Sequence, residues 1–292
     1  MSQTFAERRW TSSDGLCLYA RDYAAASGTA KLPVIAIHGL TRNSADFDAI
    51  APLIAQSGRR VLAVDIRGRG QSDRAPDPVT YQPATYAQDV LALLNQSGIE
   101  RAVFLGTSMG GLITLAASGL RPKAVAAAIL NDIGPDVVSE TLTAIADYIC
   151  APPVEIATWD EAAAYIRSFQ SANFPRYTDA DWDSFARRTF RVGTDGSLVL
   201  DYDPDIAVPV HADGPKVMVP PLWPQFRRLA KQRPVLLVRG ELSKLLGPTQ
   251  VAKMRKRAPK MDFVEVPGVG HAPMLDEPEA KAAIFPFLSE LP

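Results

Sequence analysis

A serine placed between two glycines is the first feature of this sequence that could do chemistry. Ser108 lies in the sequence Gly-Thr-Ser-Met-Gly at 106–110, after an apolar stretch at 102–105 and before a helix-like stretch at 111–117. Such a run between a strand and a helix is typical of a strained turn that pushes the serine Oγ out of a sheet. The flanking glycines lack the Cβ atoms that so sharp a turn would crowd. The sequence therefore predicts Ser108 as a nucleophile.

A serine hydroxyl is a weak nucleophile until a base removes its proton, and histidine is the usual base near neutral pH. The chain has 3 histidines. His38 follows an apolar stretch at 34–37, His271 follows the last strand-like stretch in a glycine-containing loop, and His211 lies in the middle of the chain. Ligands of an open parallel sheet bind beyond the carboxyl ends of its strands. His38 and His271 both follow strands at that edge, so either could face Ser108.

The elements that must position these residues alternate along the chain. Strand-like and helix-like stretches follow one another before residue 134 and again after residue 232, which predicts an α/β fold with a mostly parallel, doubly wound sheet. The strand-like stretches are 34–37, 61–64, 102–105, 125–130, 235–238 and 263–266. The helix-like stretches are 45–56, 84–96, 111–117, 249–257 and 277–288.

The pattern changes between 134 and 232, where helix-like stretches and prolines replace the strands. Helices are predicted at 159–169 and 181–190, and Asp195-Gly196 is typical of a hairpin turn. The sequence therefore predicts a core domain formed by 1–133 and 233–292. The segment 134–232 is predicted to be an inserted, largely helical cap.

Composition excludes several classes of function. A net charge of −1 gives no general attraction to nucleic acid or anionic lipid, and no apolar run reaches the length of about 18 residues that a membrane span needs. The N-terminal residues lack the apolar core of a secretory signal, and the 2 cysteines lie far apart without metal-binding spacing. We expect a cytoplasmic protein, a monomer or homodimer, that acts on a small molecule without a metal or cofactor.

The order of Ser108 and His271, each after a strand, resembles the α/β-hydrolase superfamily. The resemblance extends over essentially the whole chain: it includes the sequence at 106–110, His38-Gly39 after the third strand, 65–73 after the fourth, 268–271 near the end, and a cap after the sixth strand. It implies that His271 is the base for Ser108. It also implies that the backbone N–H groups of Leu40 and Met109 form an oxyanion hole.

The third member of the implied catalytic triad departs from the family pattern. An acid is expected after the strand preceding the last one, but Lys244 stands where a similar bacterial pattern has aspartate. A protonated lysine cannot accept the imidazole N–H hydrogen bond. Asp132, at the end of the sixth strand, is the preferred substitute; Glu241 and an impaired triad are the alternatives. Asp132 could also simply cap the first helix of the cap.

The implied activity is that of a serine hydrolase cleaving a small or medium ester, a lactone or a C–C diketone through an acyl-enzyme on Ser108. Substrate-pocket candidates are His38 and the tryptophans Trp159, Trp182 and Trp223, although cap aromatics are mostly core candidates. The alternative function is that of a ligand-binding protein with the same fold and little catalysis, because Lys244 replaces the expected acid.

Overall fold

The computed structural model describes residues 5–26, 31–136, 149–150, 155–211 and 221–292. Within them, an 8-stranded sheet has the strand order β1-β2-β4-β3-β5-β6-β9-β10, and a separate 2-stranded sheet pairs β7 with β8. The strands are β1 Ala6–Thr11, β2 Cys17–Tyr23, β3 Val34–Ile37, β4 Val61–Asp65, β5 Ala102–Thr107, β6 Val125–Asn131, β7 Phe190–Val192, β8 Leu198–Leu200, β9 Val235–Gly240 and β10 Asp262–Val266.

The helices of the described residues lie on both faces of the large sheet or over its carboxyl edge. They are α1 Ala51–Gln56, α2 Pro83–Gln96, α3 Met109–Leu120, α4 Trp159–Gln170, α5 Asp179–Arg187, α6 Trp223–Gln232, α7 Pro248–Arg257 and α8 Pro278–Ser289. Short 3₁₀ turns at Ser44–Phe47, Pro78–Thr80 and Pro204–Ala207, and one helical turn at Val208–His211, complete the set.

The parallel part of the sheet aligns the strand ends that carry the candidate residues. β1 and β2 add to the sheet in antiparallel fashion, whereas β4, β3, β5, β6, β9 and β10 run parallel. Ile37 at the end of β3 is level with Gly106, and Thr107 is level with Asn131. The chain therefore leaves β3, β5 and β6 at one edge and at a similar height.

Alternate side chains of these strands fill two cores. In β3, Ile35 and Ile37 belong to the cluster on one face, and Val34 and Ala36 belong to the cluster on the other. Successive side chains of a strand point to opposite faces, so a strand covered on both sides is apolar throughout. This explains why the short apolar stretches of the sequence mark the central strands.

A separate small core holds α4, α5, β7 and β8 together, and we call residues 155–200, which contain them, the cap segment. Thr158 and Thr178 each begin a helix with a capping box, in which the threonine accepts an N–H from the residue three positions on. The apolar sides of both helices meet around Phe174, Trp182 and Phe185. The cap segment can thus bury apolar surface independently of the large sheet.

Backbone hydrogen bonds join the chain just after the cap segment to the core. The Gly70 N–H donates to the Asp201 carbonyl at 3.0 Å, and the Asp203 N–H donates to the Gly68 carbonyl at 2.7 Å. The Tyr81 hydroxyl adds a hydrogen bond of 2.6 Å to the Asp203 carboxylate. The chain returning from β8 therefore pairs with the loop that follows β4.

Three elements differ from the sequence prediction. The stretch 45–56 is a 3₁₀ turn followed by the short helix α1, because Pro52 at the first turn of α1 favours a new helix start. The helix predicted at 181–190 ends at Arg187, and Phe190 begins β7. Helix α6 was not singled out in the sequence; it lies within the segment assigned to the cap, packs against α3 and places Phe226 in the core cluster.

Candidate active site

The turn between β5 and α3 holds Ser108 in a strained conformation. Its backbone has φ 51° and ψ −115°, a combination that residues with a Cβ rarely adopt. A Cβ on Gly106 would meet the Gly110 carbonyl, and a Cβ on Gly110 would meet the Ile37 carbonyl. Glycine at both positions therefore permits α3 to pack directly on the strand ends, as a sharp strand-to-helix turn requires. Strain of this kind is typical of functional sites.

His271 lies between Ser108 and Asp132. Its Nε2 is 2.9 Å from the Ser108 Oγ, and its Nδ1 is 2.8 Å from the Asp132 Oδ2. The Asp132 side chain is fully buried, whereas the His271 side chain is 25% exposed. A carboxylate that only accepts fixes the imidazole proton on Nδ1, which leaves Nε2 free to accept the serine proton. This geometry suits removal of a proton from Ser108.

The end of β6 turns Asp132 toward the imidazole. Asp132 has a positive φ of 55°, which aspartate tolerates better than most residues, and its N–H donates to the Val238 carbonyl at 2.8 Å. Its second carboxylate oxygen, Oδ1, accepts the Gly240 N–H at 3.2 Å. Two donors thus hold the two oxygens of one buried carboxylate, and the His271 ring is one of them.

Neither the alternative acid, Glu241, nor Lys244, which stands where an acid was expected, forms a hydrogen bond with the ring. Glu241 Oε2 accepts the Gly268 N–H at 2.7 Å, so this carboxylate binds the backbone of the histidine loop. The Lys244 side chain is exposed and has no ion pair with a residue that the structure describes. Because Asp132 already accepts the hydrogen bond from His271 Nδ1, the triad does not lack an acid even though residue 244 is a lysine.

Backbone donors predicted for an oxyanion hole lie next to the serine. Met109 is the first residue of α3, and the first N–H groups of a helix have no partner within it. Leu40 follows Gly39, whose position is so close to Ser108 that a Cβ there would lie 3.8 Å from the serine Cβ. Neither N–H donates to an acceptor among the described residues. As far as the described residues are concerned, both are available to donate to a substrate oxygen.

His38 supports the loop that carries Leu40. The ring is fully buried; its Nε2 is 3.1 Å from the Ile66 backbone nitrogen and its Nδ1 is 2.6 Å from the Gly39 carbonyl oxygen. A backbone N–H can only donate, so Nε2 accepts and the proton is on Nδ1. Burial lowers the pKa of His38 to about 3, and the ring is neutral near pH 7. The prediction that His38 lines the substrate pocket is wrong, because nothing of the ring reaches the surface.

A cavity of about 180 Å³ opens beside Ser108 and His271. Apolar walls come from Phe174 and Phe185 of the cap segment, and Met274 closes the side of the histidine loop. Its polar walls carry Thr41, Arg42, Asp46 and Gln170. Thr41, Arg42 and Asp46 belong to the loop that carries Leu40. The cap-segment residues reach the cavity only because that segment lies over the sheet edge.

An ion pair forms one polar wall of this cavity. The Arg42 guanidinium donates through Nε to Asp46 Oδ2 at 2.9 Å and through Nη2 to Asp46 Oδ1 at 2.5 Å, and it lies over the Phe185 ring at 4.3 Å. Burial opposes ionisation of Asp46, but the neighbouring arginine charges hold its pKa below the usual value. The Arg188 Nε lies 3.7 Å from the same carboxylate. The arginine charges therefore favour the ionised form of Asp46 in this wall of the cavity.

The three predicted tryptophans lie away from the lining of the cavity. Trp182 is 3% exposed and belongs to the small core of the cap segment. Trp159 packs under Arg187, and Trp223 packs under Arg257, each with the guanidinium carbon 4.6 Å from the ring centroid. Their prediction as pocket residues is wrong, since all three contribute to packing. Phe174 and Phe185 are the aromatic residues that line the cavity.

Comparison with known proteins identifies the family. A model described as the alpha/beta hydrolase fold matches residues 33–278. The chain belongs to the α/β-hydrolase fold family. This match confirms the resemblance stated from the sequence, the fold class and the assignment to hydrolase enzymes.

Relatives of this hydrolase cover most of its length. A 3-hydroxybutyrate-oligomer hydrolase from Cupriavidus necator is 36% identical over 259 residues, which are 87% of this chain and 86% of the relative. A 2-(acetamidomethylene)succinate hydrolase from Mesorhizobium japonicum is 30% identical over 237 residues, 80% of this chain and 79% of the relative. The crystal structure of an α/β hydrolase from Novosphingobium aromaticivorans has 42% identity and a TM-score of 0.92, and the match covers 100% of both chains.

None of the helices in the described part of this hydrolase has the length and apolar composition needed to cross a membrane. Among the same residues, no group of three or more histidine, cysteine, aspartate or glutamate side chains is arranged to hold a metal ion.

Proposed function

We propose that this hydrolase is a serine esterase for short acyl esters, with esters of small 3-hydroxy acids as its substrate class. The observation that carries the proposal is the hydrogen-bond chain from Ser108 through His271 to Asp132, with distances of 2.9 and 2.8 Å. The relative that hydrolyses 3-hydroxybutyrate oligomers supports the substrate class, since it is 36% identical over most of the chain.

Acylation begins when the Ser108 Oγ attacks the ester carbonyl carbon. His271 Nε2 takes the hydroxyl proton, and the Asp132 carboxylate stabilises the imidazolium that forms. The carbonyl oxygen becomes an oxyanion that the N–H groups of Leu40 and Met109 can bind. Donors fixed in place before the reaction stabilise such developing charge without reorganising.

Collapse of the tetrahedral intermediate breaks the bond to the leaving alkoxide. The imidazolium gives its Nε2 proton to that oxygen, the alcohol departs, and the acyl group remains on Ser108 as an ester. A water molecule then gives a proton to His271 and attacks the acyl carbon. The second collapse returns that proton to the Ser108 Oγ and releases the carboxylic acid.

The dimensions of the cavity support a short acyl group. Its volume of about 180 Å³ is small, since pockets that bury drug-sized ligands measure about 300–1,000 Å³. Phe174 and Phe185 limit its length, and the Thr41 hydroxyl and the Gln170 amide offer hydrogen-bond partners for a substrate hydroxyl. We therefore expect butyryl and 3-hydroxybutyryl esters to react faster than esters of long fatty acids.

The experiment combines labelling with turnover. A fluorophosphonate should modify Ser108, and Ser108→Ala should lose both the label and hydrolysis of p-nitrophenyl butyrate by on the order of 10⁴-fold or more. Ser118→Ala is the matched control, because Ser118 is a buried serine in the following helix α3, and its hydroxyl donates to the Leu115 carbonyl at 2.7 Å. Full activity of Ser108→Ala, or an equal loss in the control, would contradict the proposal.

Asp132→Asn tests the acid separately from the nucleophile. The amide keeps the shape of the carboxylate, but its NH₂ group does not stabilise the imidazolium, and loss of this function costs about 10⁴-fold in kcat. KM should change little, because Asp132 is buried behind the histidine. A variant that retains kcat within a factor of two would show that Asp132 does not serve as the acid.

A further inference from the structure

The loop that carries His271 is held on one side by the core. The Glu241 N–H donates to the Val266 carbonyl at 2.9 Å, and the Leu242 N–H donates to the Val269 carbonyl at 2.8 Å. The Gly268 N–H is bound by the Glu241 carboxylate at 2.7 Å. These bonds fix the loop up to Val269, two residues before the histidine.

On the other side, the next two backbone N–H groups of the loop are bound by one residue of the cap segment. The Gly270 N–H donates to the Asn173 carbonyl at 2.6 Å, and the His271 N–H donates to the Asn173 Oδ1 at 3.3 Å. A Cβ on Gly270 would overlap with the Asn173 side chain. Glycine at 270 thus allows Asn173 to lie directly against the loop, where its side chain reaches the histidine.

The position of the imidazole depends on this backbone contact. Both ring nitrogens are engaged, Nε2 with the Ser108 Oγ and Nδ1 with the Asp132 carboxylate. A displacement of the backbone would therefore lengthen at least one of these two hydrogen bonds. Since misplacement by about 1 Å can cost roughly a hundredfold in rate, the group that holds the His271 N–H affects catalysis without touching substrate.

The same asparagine contacts the wall of the acyl cavity. Its Nδ2 donates to the Gln170 Oε1 at 2.8 Å, and its N–H donates to the Gln170 carbonyl at 2.9 Å. Gln170 and Phe174, on either side of Asn173 in the sequence, both line the cavity beside Ser108. Because Nδ2 faces Gln170, the Oδ1 atom faces the histidine loop.

We propose that Asn173 is a positioning residue for His271, supplied by the cap segment; this inference rests on the proposed roles of Ser108 and His271. The side-chain oxygen of Asn173 sets the position of the histidine backbone and so the alignment of the ring with its two partners. Cap segment and base are thereby linked, and the histidine is correctly placed only when the cap segment is seated on the core.

Asn173→Ala removes the side-chain acceptor and should lower kcat for p-nitrophenyl butyrate by roughly ten- to a hundredfold, with KM changed less than threefold. Asn173→Asp keeps an oxygen acceptor for the His271 N–H, and the Gln170 amide can rotate to donate to it. This variant should retain kcat within about fivefold. Ser168→Ala is the matched control, since its hydroxyl donates to the Tyr165 carbonyl on the same helix without touching the loop.

A spectroscopic measurement separates this inference from the proposed function. The proton shared by His271 Nδ1 and Asp132 should give a downfield NMR signal in the wild type, weakened by Asn173→Ala and retained in Asn173→Asp and Ser168→Ala. An inactive wild type that does not label at Ser108 would overturn the proposed function, whereas this signal would still test the positioning role. An unchanged signal and kcat in Asn173→Ala, or an equal loss in Ser168→Ala, would overturn the inference.

Discussion

Acid should destabilise this hydrolase through His38, although His38 is not part of the proposed triad. The neutral ring accepts the Ile66 N–H through Nε2 and donates to the Gly39 carbonyl through Nδ1. Protonation would place a charge in a fully buried position and replace the Nε2 acceptor by a second donor facing the Ile66 N–H. Folding therefore disfavours the protonated form, and the pKa of His38 falls from 6.5 to about 3.

The direction of the effect follows from the depressed pKa. As the pH falls below 6.5, the unfolded chain binds a proton at His38 and the folded chain does not, so the free energy of unfolding decreases until the pH approaches 3. Each pH unit in this window costs about 1.4 kcal/mol, which amounts to about 2.7 kcal/mol by about pH 4.5. The stabilisation by neutral His38 is fully present only above pH 6.5.

The assay compares urea unfolding of the wild type and His38→Gln at a series of pH values. Burial raises the pKa of Asp65 to about 6, so Asp65 titrates in the same range with the opposite sign: its contribution is present at low pH and is lost as the pH rises. Because both proteins contain Asp65, its contribution cancels when their free energies of unfolding are subtracted. We expect the advantage of the wild type to shrink by about 2.7 kcal/mol between about pH 7.5 and 4.5. A difference that does not change with pH would refute the reasoning.

Three further substitutions test the triad acid, the packing of the turn at Ser108 and the length of the acyl cavity. Lys244→Asp should change kcat/KM by less than about twofold if Asp132 serves as the acid; a gain of orders of magnitude in the esterase assay would contradict that role. Gly110→Ala should lower the free energy of unfolding by about 2 kcal/mol or more in a denaturant titration, because its methyl group would meet the Ile37 carbonyl; an unchanged midpoint would refute this packing argument. Phe185→Leu should raise the ratio of hexanoate to butyrate ester hydrolysis by about tenfold, and an unchanged ratio would show that Phe185 does not limit acyl length.

The sequence was sufficient to predict the elements that carry the proposed nucleophile and base. Strands covered on both faces are continuously apolar, so β3, β5, β6 and β9 could be recognised locally, and the residues that follow them could be placed at one edge. The turn at Ser108 was also predictable locally, because it requires the glycines at 106 and 110. The strands and the turn are each determined by residues that lie close together in the sequence.

From the sequence, one carboxylate could only be favoured over the others as the triad acid, because the answer depends on contacts between distant segments. Asp132, Glu241 and position 244 all follow strands at the same edge, and a sequence pattern does not show which side chain turns toward the histidine. The positive φ of Asp132 and its bond to the Gly240 N–H determine that direction. The alignment of β6 with β9 brings both groups together, and alignment is a property of the folded sheet.

The lining of the cavity was mispredicted for a related reason. Tryptophans are large enough to form a pocket, but Trp182 fills the small core and Trp159 and Trp223 lie under arginines. Residue type indicates how much surface a side chain can bury. It does not indicate whether that surface faces a neighbouring helix or the mouth of a cavity.

The backbone pairing of Gly70 with Asp201 and of Asp203 with Gly68 limits how substrate can enter. A rigid-body swing of the cap segment together with residues 201–203 would break both bonds, and also the bonds that the histidine loop donates to Asn173. It would expose buried polar groups at a cost of about 1–3 kcal/mol each. Small movements of side chains around the cavity require no such loss. Ester and product should therefore exchange through small side-chain movements around the cavity, while residues 201–203 stay bound to the loop that follows β4.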